Sequence, residues 1–215
     1  GLGDVYKRQS EALAELALPR VADHVRTGDE GEEIVAADMR PIRVIDLCTG
    51  SGCIACAIAS EYPAAHVLAL DVAPEALELA RRNAEALGLA ERVCVRESDL
   101  LAAVEPDERG TYDLVISNPP YVPSAVVDGL GREVADFEPR LALDGGADGL
   151  DLYRRFLPDA LSCLKPGGVL AVELYEDHLD EAAHLAREAG FASVRIVRDL
   201  AGRPRVLIGR APVRE

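Results

Sequence analysis

From Ile42 onward the chain alternates short apolar runs with helix-patterned stretches, and this alternation restricts the possible folds more than any other feature. Ile42–Leu47, His66–Asp71, Val93–Glu97, Tyr112–Ser117, Val169–Glu173, Ala192–Val197 and Arg205–Ile208 read as strands. Gly52–Ser60, Pro74–Leu87, Leu150–Leu164 and His178–Ala189 read as helices. The punctuation agrees: Pro74 opens a first turn, while Gly88, Pro166-Gly167-Gly168 and Gly190 act as stops. Repeated strand–helix units call for a parallel sheet covered by helices on both faces. The last two strands are joined by a short Gly/Pro turn, and a parallel crossover needs a dozen or more residues, so that pair is antiparallel. The expectation is an α/β fold with seven strands, mostly parallel, and an antiparallel last strand.

The front of the chain does not share this pattern. Gly1–Gln9 looks like a foreign or frayed leader, Ser10–Leu18 is an Ala/Leu/Glu-rich helix with Ser10 as a cap, and Asp29–Glu33 is an acidic loop. Residues 1–40 are therefore read as leader and helical remnant, and residues 41–215 as one domain. A chain of 215 residues with 49% hydrophobic content supports one full core. No apolar run nears the ~18 residues that span a bilayer, and five cysteines without a disulfide pattern suit a reducing, cytoplasmic setting. The formal charge of −15 argues against direct nucleic-acid binding, which rests on Lys and Arg meeting phosphate. Arg195, Arg198, Arg203, Arg205, Arg210 and Arg214 do gather near the end, and read as a solvated face of the last strands.

Three strand ends carry chemistry. Asp46-Leu47-Cys48-Thr49-Gly50-Ser51-Gly52 joins the first strand to the first helix, with glycines suited to a tight turn and close ligand approach. With Ala55 it satisfies G-x-G-x-x-A, and Asp71 follows about twenty residues later, so a dinucleotide site would share the spacing. Asp46 separates the two, because a carboxylate there repels a pyrophosphate and favours an ammonium-bearing ligand such as S-adenosylmethionine. It also reads simply as a carboxylate capping a turn. Asp71 suits ribose hydroxyls. After the third strand, Asp99 is placed to accept an adenine amino group and Leu100 to pack on the ring, or both belong to an ordinary turn.

Asn118-Pro119-Pro120-Tyr121 follows the fourth strand. Two prolines donate no N–H and hold the backbone rigid. The Asn118 side-chain oxygen and the Pro119 carbonyl can accept both N–H bonds of a planar –NH2 group, with Tyr121 packed on its plane. The arrangement is a clamp for an amide or base amino group. The segment from Val122 to Gly149 has no clear period and reads as a substrate-facing lid or rim. Cys53-Ile54-Ala55-Cys56 reads as core cysteines rather than redox or metal ligands. No histidine is marked as a base, and Glu173 and Glu176 read as rim residues.

Together these pieces resemble the class I S-adenosylmethionine-dependent methyltransferases, and more narrowly the bacterial release-factor glutamine methyltransferases (HemK/PrmC type). The resemblance runs from about Ile42 to Arg210. It rests on Asp46–Gly52, Asp71, Asn118–Tyr121, Phe137-Glu138-Pro139-Arg140-Leu141-Ala142-Leu143, Asp148-Gly149-Leu150-Asp151, Asp199-Leu200-Ala201-Gly202-Arg203 and Gly209-Arg210. It implies a Rossmann-like domain in which Asp46, Cys48, Thr49, Gly50, Ser51, Gly52, Asp71, Asp99, Leu100 and Asn118 hold S-adenosylmethionine. It implies that Asn118, Pro119, Pro120 and Tyr121 hold the substrate, and that Asn118, Pro119 and Tyr121 serve methyl transfer to the glutamine of a Gly-Gly-Gln motif in peptide-chain release factors. It carries an N-terminal helical domain that residues 1–40 do not match, and a glycine soon after the fifth-strand glutamate where this chain has Leu174-Tyr175. The rival expectations are a ribosomal-protein glutamine methyltransferase, a nucleic-acid amino-methyltransferase, and a non-catalytic S-adenosylmethionine-binding core.

Overall fold

The computed structural model describes residues 40–129, 139–198 and 202–213. The expected leader, the Ser10 helix, the acidic loop, Phe137, Glu138, Asp199–Ala201 and Arg214 lie outside the described residues.

Seven strands form one sheet in the order β3-β2-β1-β4-β5-β7-β6. They are β1 (Ile42–Leu47), β2 (Ala65–Asp71), β3 (Val93–Glu97), β4 (Tyr112–Ser117), β5 (Leu164–Glu173), β6 (Ser193–Arg198) and β7 (Pro204–Arg210). The pairs from β3 through β5 are parallel, and β7 runs antiparallel to both β5 and β6. The expected architecture holds, with β7 inserted between β5 and β6.

The sheet is central because its strands are apolar on both sides. All six residues of β4 are buried, as expected where helices cover both faces. Alternate residues feed two cores. Val44, Val67, Leu114 and Ile116 pack with Ile54 and Ile58 of α1 (Cys53–Glu61) and Ala84 of α2 (Pro74–Ala86). Ile45, Leu68, Val115 and Leu170 pack with Tyr153, Phe156 and Leu157 of α5 (Asp151–Cys163) and Ala182, Ala183 and Ala186 of α6 (Leu179–Glu188). Fully burying one such Ile, Leu or Phe side chain contributes about 1.5–3 kcal/mol.

One expectation is corrected. Pro166-Gly167-Gly168 does not separate helix from strand: β5 begins at Leu164 and runs through all three residues, taking up the irregularity as a register shift between Tyr112 and Leu114. The stretch after the clamp shows no long period, as read: its described residues hold two single helical turns, α3 (Ser124–Val127) and α4 (Arg140–Leu143), too short to show one. Arg195 and Arg198 on the edge strand β6, and Arg203 before β7, are exposed as read from sequence, but Arg205 and Arg210 are half-buried because β7 lies inside the sheet between β5 and β6. Among the described residues no helix is long and apolar enough to cross a membrane, and no group of three or more His, Cys, Asp or Glu could hold a metal ion.

Candidate active site

The strand order reverses between β1 and β4, and such a reversal opens a crevice at the carboxyl ends of the strands. The register brings the expected residues to that crevice. Leu47 pairs with Leu70 and with Ser117, and Asp71 pairs with Glu97. Cys48, Asn118, Asp71 and Ser98 therefore leave neighbouring strand ends. The Ser117 hydroxyl donates to the Leu47 carbonyl at 2.7 Å, tying β4 to β1 just beneath the clamp.

The loop Cys48–Gly52 is shaped by two carboxylates. Asp46 is fully buried. Its Oδ2 accepts from the Thr49 hydroxyl at 2.5 Å and from the Ala55 N–H at 3.0 Å. Ala55 is the third residue of α1, and the preceding Gly52, at φ +77°, has no side chain to cap the helix. Asp46 thus caps α1 from a distance, which is the alternative reading of it from sequence, extended to a helix end. Its Oδ1 is buried without a hydrogen-bond partner, so the site has a spare acceptor for a donor-bearing ligand. Burial pushes the Asp46 carboxyl up to about 7, against the lowering effect of its Thr49 and Ala55 bonds. Asp71 ties the next layer together: its Oδ2 accepts from Gly50 N–H at 2.8 Å, and its Oδ1 from Val72 and Ala73 N–H at 2.8 and 3.0 Å. Those bonds hold the Val72 side chain outward, 46% exposed. This exposed apolar residue immediately after a strand-end acid was not singled out in the sequence.

Cys48 (φ 58°) and Leu100 (φ 53°) both adopt left-handed backbone. This is uncommon for non-glycine residues and clusters at functional sites. Burial, with the Asp71 and Asp46 charges, pushes the Cys48 thiol up to about 12. It stays protonated and is not a competing nucleophile, since the thiolate is the reactive form. After β3, Ser98 supplies the turn: its hydroxyl donates to Leu100 O at 2.6 Å and accepts from Ala103 N–H at 3.0 Å. Asp99 is exposed, and Nη2 of Arg155 donates to both its carboxylate oxygens at 3.0 and 2.8 Å.

Asn118 is half-buried, Pro119 buried, and Pro120 and Tyr121 half-buried, so the clamp has a fixed base and an accessible edge. The segment beyond it doubles back. Val122 N–H donates to Leu143 O and Gly145 N–H to Val122 O, at 2.9 and 2.8 Å. Asp144 accepts from the Ser124 hydroxyl and the Gly146 N–H through Oδ1, and from Arg140 through Oδ2. The Ser124 bond comes first among the causes that hold the Asp144 carboxyl below the usual range. The described parts of this excursion form a pinned rim beside the clamp.

Gly149 (φ +80°) lies against the clamp. A Cβ there would overlap the Tyr121 carbonyl oxygen and stand 2.7 Å from His178 Cε1. Gly149→Ala is therefore expected to cost about 2 kcal/mol or more, from strain and collision together. Urea denaturation checks this, and a loss below about 0.5 kcal/mol would mean the wall yields freely. His178 itself carries a buried Nδ1 without a hydrogen-bond partner and meets Tyr175 edge-on at 5.5 Å. Its place against Gly149 had no sequence signal, because the two residues lie far apart in the chain. Glu173 is corrected from rim to interior: it is 2% exposed, one residue past the Val172–Ser117 pair and so beside Asn118. Of the CxxC, Cys56 is buried as expected, but Cys53 is only half-buried.

The profile of the methyltransferase small domain matches residues 25–132. A release factor glutamine methyltransferase of Rhodospirillum rubrum is 46% identical over 168 residues, covering 78% of this chain and 50% of that protein. One from Caulobacter vibrioides is 46% identical over 166 residues, covering 77% and 56%. The chain thus spans about half the length of these curated relatives. A solved methyltransferase from Pyrococcus furiosus shares the fold at TM-score 0.60 and 22% identity, covering 80% of this chain and 76% of that one. The family match covers half of the chain, across the loop after β1 and the end of β4, and the chain belongs to the methyltransferase small domain family.

Proposed function

We propose that residues 41–215 form the catalytic domain of a cytoplasmic glutamine methyltransferase, which moves a methyl group from S-adenosylmethionine to the Gly-Gly-Gln glutamine of peptide-chain release factors. The observation that carries the reading is the Asn118–Tyr121 clamp at the end of β4, one strand from the Asp46–Gly52 loop. The names of the curated relatives supply the substrate class.

The residues present fit the cofactor. Asp46 Oδ1 is a buried acceptor in want of a donor, which an ammonium group supplies. Oδ2 of Asp71 keeps acceptor capacity for a ribose hydroxyl beyond its Gly50 bond. Val72 and Leu100 offer apolar surface to an adenine, and Asp99 an acceptor for its amino group. The sulfonium of the bound cofactor supplies an electrophilic methyl.

The chain's own groups prepare the nucleophile. An amide nitrogen is weak because its lone pair is delocalised. The Asn118 side-chain oxygen and the Pro119 carbonyl accept its two N–H bonds, fix its direction and favour charge developing on it. Tyr121 packs against the amide plane. Once the cofactor's methyl is on the nitrogen, the amide would give up one proton to solvent, while Asn118 and Pro119 hold its direction. Positioning and electrostatics supply the rate.

The test is transfer of radiolabelled methyl to a purified class I release factor, with mass spectrometry of the Gly-Gly-Gln peptide. Label on that glutamine is expected. Cofactor binding by calorimetry without label on that glutamine would overturn the substrate assignment.

A further inference from the structure

The groove between α1 and α2, behind the glycine loop, takes no part in the proposed transfer. It is a cavity of about 400 Å³, lined by Gly52, Cys53, Cys56, Ser60, Asn83 and Leu87 among others. Both cysteines face it from one helical turn. Cys53 is the first residue of α1 and half-buried, and Cys56 is 4% exposed. Residues three apart share a helix face, with Cβ atoms about 5–6 Å apart. A disulfide needs about 3.5–4.5 Å. Closing that gap asks for an adjustment in the first turn, where the Cys56 N–H donates to Gly52 O at 2.9 Å and the Ala55 N–H to Asp46, so the strain falls on those two bonds. The Ser51 hydroxyl lies 3.1 Å from Cys53 Sγ.

We propose that Cys53 and Cys56 form an oxidisable dithiol, a modification site for small dialkyl disulfides, whose closure pulls the Gly50–Gly52 loop out of its ligand-binding shape. The Cys53 thiolate attacks one sulfur of the reagent, forming a mixed disulfide and releasing one thiol. Cys56 then gives up its proton and attacks the Cys53 sulfur, forming the internal S–S bond and releasing the second thiol. The reagent gains the two electrons that the protein loses. The half-exposed Cys53 is the thiol a reagent reaches first, and the buried Cys56 reacts second through its place on the same helix face.

The loop has no slack to absorb the closure. Ser51 O is held by Asn83 Nδ2 at 2.8 Å. A Cβ on Gly52 would stand 3.1 Å from Ala80 Cβ, so this backbone is pressed against α2. The Ala55 N–H bond to Asp46 lies between the two cysteines in sequence, within the turn that must tighten. Bond formation therefore acts on the same groups that set the Cys48–Gly52 loop. This consequence, unlike the oxidation itself, rests on the proposed cofactor site.

The experiment treats the whole chain, carrying Cys94→Ser to remove the exposed thiol, with bis(2-hydroxyethyl) disulfide. Peptide mapping under non-reducing conditions is expected to show loss of two hydrogen atoms from the peptide holding Cys53 and Cys56. Calorimetry is expected to show S-adenosylmethionine affinity at least about tenfold weaker after oxidation, restored by dithiothreitol. Cys56→Ser should stop at the mixed disulfide on Cys53, and Cys53→Ser should form no internal bond. Two intact thiols after treatment overturn the proposal, as does an internal disulfide with unchanged affinity. A reduced protein that binds no S-adenosylmethionine overturns the cofactor reading instead, and the peptide map then decides the dithiol alone.

Discussion

Asn118→Ala is expected to lower methyl transfer by about a hundredfold or more, while S-adenosylmethionine affinity stays within about threefold. The reason is the division of labour at the strand ends. In the proposed arrangement, cofactor contacts are spread over the Asp46–Gly52 loop, Asp71, Val72 and the Asp99–Leu100 turn. There the amide is oriented by two acceptors, of which only Asn118 is a side chain. Its loss leaves the Pro119 carbonyl in place, so the substrate still enters but its nitrogen is no longer fixed. The effect should fall mainly on kcat, since a misdirected nucleophile is a transition-state loss.

The variant should also fold. Asn118 is only half-buried, and the base beneath it is held by Ser117 bonded to Leu47 and by buried Pro119. Circular dichroism and cofactor calorimetry on the same preparation check this before activity is read. Normal turnover in a folded, cofactor-binding Asn118→Ala protein would rule out the clamp as the source of catalysis. A rise in KM at unchanged kcat would instead reduce Asn118 to a docking contact.

The legible parts of this molecule were those where sequence neighbours determine the outcome. β1, β3 and β4 begin and end where their apolar runs do, β1 and β4 as mostly buried inner strands and β3 on the sheet edge. The strand-end positions of the candidate motifs were readable because β–α alternation places each of them at the same edge of the sheet. What escaped was set by contacts between distant residues. Pro166-Gly167-Gly168 looks like a breaker, yet the neighbouring β4 lets β5 run through it with a register shift. Glu173 looks like a rim acid until the register places it beside Asn118 in the interior. The turns at Ser124 and Arg140 are too short to carry a period and are joined by Asp144. Asp46 caps a helix whose third residue lies nine positions on, so no local capping pattern announces it.

Asp46 also governs the second large expected effect, which is on pH dependence. Its carboxyl is raised from 3.8 to about 7, chiefly by burial. The folded state therefore holds a proton that the unfolded chain gives up near pH 4. The corresponding stability is fully present below pH 4 and is lost as pH rises through 7. Between pH 5 and 8, urea denaturation should show the wild-type protein losing roughly 2–3 kcal/mol relative to Asp46→Asn, which cannot ionise. A difference that stays flat across this range would mean the group titrates as an ordinary carboxylate. Ligand binding should run in the opposite direction. The ionised carboxylate has an unpartnered oxygen that an ammonium-bearing ligand would pair, so binding draws Asp46 into its charged form and releases a proton. Wild-type affinity for S-adenosylmethionine should therefore rise from pH 6 to pH 7.5, and the asparagine variant should bind more weakly without that slope. Calorimetry in buffers of different ionisation enthalpy measures the released proton directly. The ionisation that costs the empty protein stability would then be the one that prepares it for its cationic ligand.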